Sequence, residues 1–383
     1  MADRAANLCF AFRKKDRKIF LFYSFSALRI GRRRNLEKFG NFIKKSGIPL
    51  ESGICVDKAQ MINYLIKRLI YAFPVLLGIT AITFAVMYFA PGSPADGITE
   101  FNMQVSAEAK ERLVSLYGLD KPVYEQYWNW LKRVAVLDFG NSFKDGRPAL
   151  QKILERLPAT VLLNVLSVLL MLVIAVPAGV YSAVRPYCFA ERMLTVTVFI
   201  CFSIPAFWAA LLLMTVAGLW LGWLPVSGLV SFNFDELSLP AKMFDVAKHL
   251  ILPLIVSTLG SFAVLSRYIR SGMMDVLKQD YIKTAYAKGL TEKQVILNHA
   301  LKNALLPLIT IIGLSVPGLI GGSFIIETIF SYPGMGRLGY DAVMARDYPV
   351  IMGIGVISAF LTLLGNIIAD VLYFAADPRI RYK

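Results

Sequence analysis

The residues with most scope for chemistry lie in one polar stretch between two apolar runs. It reads from Asp275 to Pro307 and contains Asp280, Tyr281, Thr284, Ala285, Ala287, Gly289, Leu290 and His299. Met274, Leu277, Tyr281 and Ala285 are spaced by three, four and four, which places them on one helix face. Gly289 can take the left-handed conformation that ends such a helix. Thr291 and Gln294 have the spacing of a capping box, which starts another. The local prediction is helix, glycine turn, helix. The chemistry this elbow offers is recognition rather than bond-making. Ala285 and Ala287 would let a partner approach closely, and Tyr281 would anchor it in a groove. A helix resting on lipid headgroups is the other reading, because Lys278, Lys283 and Lys288 suit that position. Spacing alone leaves both open.

Catalysis by this chain is not expected. No GxxxxGK[ST], HExxH or GxSxG pattern occurs. There are two histidines, His249 and His299, too few for a histidine-based metal centre. His299 is expected to pack or hydrogen-bond within its loop rather than act as a proton switch. Four cysteines, Cys9, Cys55, Cys188 and Cys201, show no CxxC spacing. No metal site, bound cofactor or nucleic-acid partner is expected.

The elements that must position the elbow are apolar. Hydrophobic residues make up 56% of the 383, and charged residues 17%. A globule of this size with so few charges must turn part of its surface to lipid. Apolar runs of about 20 residues cross a bilayer as helices. Five charge-free runs qualify: Leu69–Ala90, Leu157–Val184, Met193–Phe234, Asn303–Ile326 and Tyr348–Ala369. Leu250–Ser266 is a shorter sixth, with His249 and Arg267 able to reach toward the interfaces at its ends. Met193–Phe234 could hold two spans or one. Seven basic residues follow between Arg267 and Lys302, and short cytoplasmic loops carry such an excess. One span, Met193–Leu221, keeps them inside, with Trp220 and Trp223 at the outer interface. The expected fold is an all-α integral membrane protein of six transmembrane helices, with both termini cytoplasmic.

Helix-breaking residues stand out in the fifth and third spans. Gly313, Pro317, Gly318, Gly321 and Gly322 fall in the fifth. They suggest either a pliable pathway wall at a subunit interface or close packing within the chain through Gly318-x-x-x-Gly322, and packing is the favoured reading. Pro205 is expected to bend the third span, and Trp208 beside it to be a core or lipid-facing residue. The six spans are nearly free of ionisable groups, with Glu327 and Asp370 at span ends. Ion-coupled carriers keep such groups inside. If solute moves, the energy must come from elsewhere, and a separate ATPase gripping the elbow would supply it.

The remaining segments are residues 1–60, and Pro91–Arg156 within the first unit, 61–156. The first 60 residues carry 14 basic and five acidic side chains, +9 of the net +15. They read as a disordered basic tail near anionic lipid, or as sequence upstream of a true start at Met61. Pro91–Arg156 balances nine basic against nine acidic residues and is expected outside. Ser106–Tyr117, closed by Gly118, and Val123–Val134, opened by Pro122, read as short helices of a small external segment.

These residues resemble a known family. Asp280-Tyr-Ile-Lys-Thr-Ala-Tyr-Ala-Lys-Gly-Leu290 with His299-Ala-Leu-Lys-Asn-Ala-Leu-Leu-Pro307 is similar to the permease subunits of binding-protein-dependent ABC importers, in the dipeptide/oligopeptide/nickel branch. Met61–Arg68 through Ala90–Asp96, Tyr117–Tyr127 with Asp138–Phe143, Glu327–Arg337, Arg346–Pro349 and Asp377–Tyr382 resemble the first permease of that branch. The general importer motif has Glu-Ala-Ala before the glycine and a later Pro. Here Lys283-Thr284-Ala285 and Lys302 stand there, so no specific ion pair to an ATPase follows.

The resemblance implies a type I importer fold, with a core five-helix permease domain at 157–383 and its coupling loop at 271–302. It implies a second homologous permease, two cytosolic ATPases using ATP and Mg, and an external solute-binding protein. The expected setting is a bacterial or archaeal plasma (inner) membrane, and the expected function uptake of peptides or a related small solute. An ATP-independent secondary transporter or channel is the alternative.

Overall fold

A computed structural model describes residues 58–89 and 121–376. The expectations for residues 1–57, for the helix Ser106–Tyr117 with Gly118, and for Asp377–Tyr382 lie outside the described residues. The chain divides into two units, Met1–Lys67 with Asp377–Lys383, and Arg68–Ala376. The second holds the elements that position the elbow.

All named elements among the described residues are helical, as the apolar runs require; the one β-bridge pairs Asn141 with Pro148. In chain order, α1 is Lys58–Phe89, α2 Val123–Ala135, α3 Ala149–Val184, α4 Phe189–Ser203 and α5 Ala206–Leu213. A π-helical turn, Met214–Trp220, continues α5. Then come α6 Leu239–Leu277, α7 Asp280–Ala287, α8 Glu292–Gln294, α9 Leu301–Ala304, α10 Leu306–Ser315, α11 Gly318–Gly321, α12 Phe324–Ile329, α13 Met335–Met344 and α14 Tyr348–Ala376.

The apolar helices are those that the charge-free runs predict, with three differences. α1 (from Ile66), α3, α6 and α14 are each long and apolar enough to cross a membrane. The fourth expected span is longer than its apolar stretch, because α6 has 39 residues. His249 is therefore not at a helix end. Its ring is buried and its Nδ1 donates to the Asp245 carbonyl at 2.8 Å. Asp245 in turn accepts from both the amide (2.8 Å) and the hydroxyl (2.5 Å) of Ser231, pinning the preceding loop to α6.

The third expected span, Met193–Leu221, is not one helix. α4 stops at Ser203, Ile204 is extended, and Pro205 starts α5, so the two limbs meet at 103°. A residue before proline is pushed out of the helical region, which turns the expected bend into a break.

The fifth, Asn303–Ile326, is broken at Leu305, at Val316–Pro317 and at Gly322. Pro307 and Pro317 each remove a helix donor, and Gly322 turns with φ +64. Hydropathy cannot register these breaks, since every residue in them is apolar or small. The six expected helices are thus four, one bent pair and one interrupted run.

The core is built on α3 against α6. The buried side of α3 carries Thr160, Leu163, Ser167, Met171, Ala175, Ala178 and Ser182, a seam three and four residues apart. Its small residues let α6 approach, and that packing substitutes for a hydrophobic driving force in lipid. α6 answers with Leu252, Val256, Ala263, Leu265, Ile269 and Met273.

Candidate coupling elbow

The elbow is rooted in the C-terminal half of each helix of this pair. Ile282, Ala285, Val295 and Ala300 are buried in one cluster with Met171, Ala175 and Ala183 of α3 and Leu265, Ile269 and Met273 of α6. Ile282 is 1% and Val295 0% exposed. Burying such a side chain from water is worth about 1.5–3 kcal/mol, so two of them hold a short helix that could not stand alone.

The turn has the predicted chemistry. Gly289 sits at φ +78. The Leu290 amide donates to the Ala285 carbonyl at 3.4 Å and the Gly289 amide to the Tyr286 carbonyl at 2.9 Å. These are the two bonds of a Schellman motif, and Leu290 packs back onto the cluster that holds Ala285. The capping box follows: Thr291 Oγ1 accepts from the Gln294 amide (3.4 Å), and Gln294 Oε1 accepts from the Thr291 amide (3.1 Å). After α8 the chain passes through a π-helical turn, Val295–Ala300, before α9. His299 lies half-buried in that turn, and its carbonyl accepts from Asn303 Nδ2 at 2.8 Å.

The face of the elbow differs from the one read by spacing. α6 ends at Leu277 and Gln279 is extended (ψ 148), so Met274 and Leu277 are on one helix and Tyr281 and Ala285 on the next. A two-residue interruption resets the helical phase, which a spacing rule carries straight through. Ile282 and Ala285 face inward. Asp280, Tyr281, Thr284 and Ala287 are exposed. Ala285 is therefore a root residue, not a contact surface. Thr284 Oγ1 donates to the Asp280 carbonyl (3.0 Å), and Lys283 pairs with Asp280 (3.0 Å) on the open surface. Two ion pairs brace the neighbourhood: Arg185 with Glu292 at 3.0 Å, and Arg270 with the buried Glu191 at 2.9 Å.

The glycine-rich run is placed apart from the elbow. Gly313 is buried. A side chain at Gly318 would meet nothing within 4 Å among the described residues, so no close packing at Gly318 is seen there. Close packing occurs instead at Pro317, whose Cα lies 3.0 Å from where a Cβ on Gly365 would be. Gly322 abuts the carboxylate of Glu327.

Glu327 belongs to a second constellation that spacing did not reveal. It is 0% exposed, and no cationic side chain pairs with it among the described residues. Oε1 accepts from Thr160 Oγ1 of α3 at 3.1 Å, and Oε2 from the Arg337 amide at 2.9 Å. Thr160 Oγ1 also accepts from the Met335 amide at 2.7 Å. Tyr332 donates to the Ala159 carbonyl at 2.8 Å. A Cβ on Gly334 would collide with the carboxylate, so only glycine lets the loop wrap it.

Nearby, the buried Asp347 accepts from Ser142 Oγ (2.5 Å) and the Phe143 amide (3.0 Å). Lys152 reaches Ser142 (2.9 Å) and Asp145 (2.8 Å). The two carboxylates thus tie the 323–347 segment to the N-terminal half of α3 and to the 138–148 turn. In that turn the Arg133 guanidinium beside Asp138 holds its carboxyl below the usual carboxylate range. A lone acid in an apolar run was the available signal for Glu327; its partner Thr160 lies 167 residues away.

Residues 175–382 match the family described as binding-protein-dependent transport system inner membrane component, and residues 61–164 match its N-terminal counterpart. The chain is 46% identical over 323 residues to the oligopeptide transport system permease protein AppB of Bacillus subtilis, across 84% of this chain and 100% of the relative. It is 37% identical over 339 residues to the dipeptide transport system permease protein DppB of Escherichia coli K12, with the same coverage. Among solved structures it is similar to a chain of the inward-facing MetNI methionine ABC transporter, at 19% identity and a TM-score of 0.47, over 59% of this chain and 97% of that one. With more than half of its length matched, this chain belongs to the binding-protein-dependent transport-system inner-membrane components, the multi-pass permeases of ABC importers.

Proposed function

We propose that the chain forms half of the translocation pathway of an ATP-driven importer for peptides or a related small solute, and that the elbow at 280–302 is its handle. A second homologous permease supplies the other half. Two cytosolic ATPases hydrolyse ATP with Mg, one gripping each permease through its elbow, and an external solute-binding protein delivers the cargo. Both termini of this chain then lie in the cytoplasm. The chain itself binds no cofactor.

The observation that carries this reading is the rooting of the elbow. Tyr281, Thr284 and Ala287 form an open face on a helix whose other side, Ile282 and Ala285, is sunk into α3 and α6. A pull on the open face is passed to both helices, because a close-packed core does not deform continuously. α3 has 36 residues, about 54 Å of helix, and carries Glu327's partner Thr160 toward its other end. Movement of the ATPases would thereby tilt the carboxylate-bound 323–347 segment and switch access between the two sides. The names of the relatives support peptides as cargo.

The test is reconstitution into vesicles with the second permease, the ATPases and the binding protein. ATP-dependent uptake of a labelled peptide supports the reading. Uptake that persists without ATP favours the alternative of a self-sufficient carrier and overturns it.

A further inference from the structure

The break at Pro205 leaves a notch. Val196, Phe199, Ile200 and Ser203 recur at three- and four-residue spacing on one side of α4, and Phe207 and Trp208 of α5 close the angle. The groove between them has a volume of about 660 Å³, within the range of about 300–1,000 Å³ usual for ligand clefts. Its lining is almost wholly apolar. At its Phe199 edge stands Arg267 of α6, exposed, with its guanidinium carbon 5.3 Å from the Phe199 ring centroid. One turn on, Arg270 is neutralised by Glu191 at 2.9 Å. Arg267 has no acidic partner among the described residues.

We infer that this notch binds one acyl chain of an anionic phospholipid, with the lipid phosphate on Arg267. An apolar trough with a cation at its rim matches a molecule that is apolar along its length and negative at its end. A neighbouring helix could fill the trough, but it would have to bring its own acid to Arg267. Arg267 lies ten residues, about 15 Å, before the end of α6. Leu265 and Ile269, on either side of it, pack in the elbow's cluster, so with the open face of the elbow in water the guanidinium is level with the headgroups of the inner leaflet, where anionic lipids gather. The inference goes beyond the proposed function and rests on it only for that membrane placement.

Brominated acyl chains quench tryptophan fluorescence on contact, and Trp208 lines the trough. The assembled transporter is placed in phosphatidylcholine vesicles containing brominated phosphatidylglycerol or brominated phosphatidylcholine, and the part of the quenching lost in Trp208→Phe is taken as the trough signal. The expected result is half-maximal quenching at a mole fraction at least about fivefold lower for phosphatidylglycerol. Arg267→Gln should abolish the difference and Arg267→Lys keep part of it. Equal quenching by both lipids overturns the inference. So does absence of Trp208 quenching together with crosslinking of a Phe207→Cys variant to the second permease, which would assign the trough to protein. ATP-driven uptake is read in the same vesicles. Absence of ATP-driven uptake with the lipid preference intact would strike the proposed importer function alone and leave the lipid site supported.

Discussion

The two ends of α3 are fastened by opposite means. Near its Ala175–Ala183 end the elbow is held by apolar packing, with Ile282 and Val295 as the pegs and a polar face left open. Near Thr160 the 323–347 segment is held by Glu327, a buried carboxylate wrapped in amide and hydroxyl donors and paired with no cationic side chain among the described residues. Apolar packing is non-directional, and a close-packed cluster passes strain on as a block without depending on any single donor. A buried carboxylate demands its donors in place and releases all of them together. The elbow is thus suited to take up a variable external pull, and the Glu327 end to hold one arrangement or let it go.

Breaking the carboxylate end should cost most. Glu327→Ala leaves at least two buried donors, the Thr160 hydroxyl and the Arg337 amide, without an acceptor. At about 1–3 kcal/mol each, the loss should be about 3 kcal/mol or more. It should appear as a marked fall in the melting temperature of the detergent-solubilised protein, and Glu327→Gln should recover a large part. If Glu327→Ala melts like the parent, the carboxylate is not a fastening.

The packed end should give less. Ile282→Ala removes a fully buried side chain at the margin of the cluster, for about 2 kcal/mol, the lower end of such losses. Limited proteolysis after Lys283 and Lys288 should accelerate while the melting temperature of the whole changes little. Equal protection would mean that the elbow is held by something other than its apolar pegs.

Gly289→Val is smaller in energy and more specific. A β-branched residue at φ +78 costs about 1–2 kcal/mol, concentrated in the turn. Membrane insertion should be normal and co-purification of the ATPases lost. Unchanged assembly would count against the handle. The exposed Arg185–Glu292 pair should matter least: Glu292→Gln should cost under about 1 kcal/mol, an effect that vanishes in high salt.

The same contrast explains what the sequence could say. The elbow is local, so Gly289, Thr291 and Gln294 announced its turn and its cap, and Pro122 announced the start of α2. The inward side of α7 was missed because the helical phase resets at Lys278–Gln279. The apolar runs located the long helices but not their breaks, since proline at 205, 307 and 317 changes hydrogen bonding without changing hydropathy. Glu327 with Thr160, and Asp347 with Ser142, are contacts across 167 and 205 residues, and no local rule brings those pairs together.

The most direct test of the handle is a crosslinking scan in the assembled transporter. A photoreactive cysteine label is placed in turn at Tyr281, Ala287 and Ala285. The open-face positions Tyr281 and Ala287 should label an ATPase subunit, with a yield that changes when ATP is bound. Ala285, turned into the root, should label only this chain. Labelling of lipid alone from Tyr281 and Ala287, or equal labelling of the ATPase from all three positions, would contradict the account.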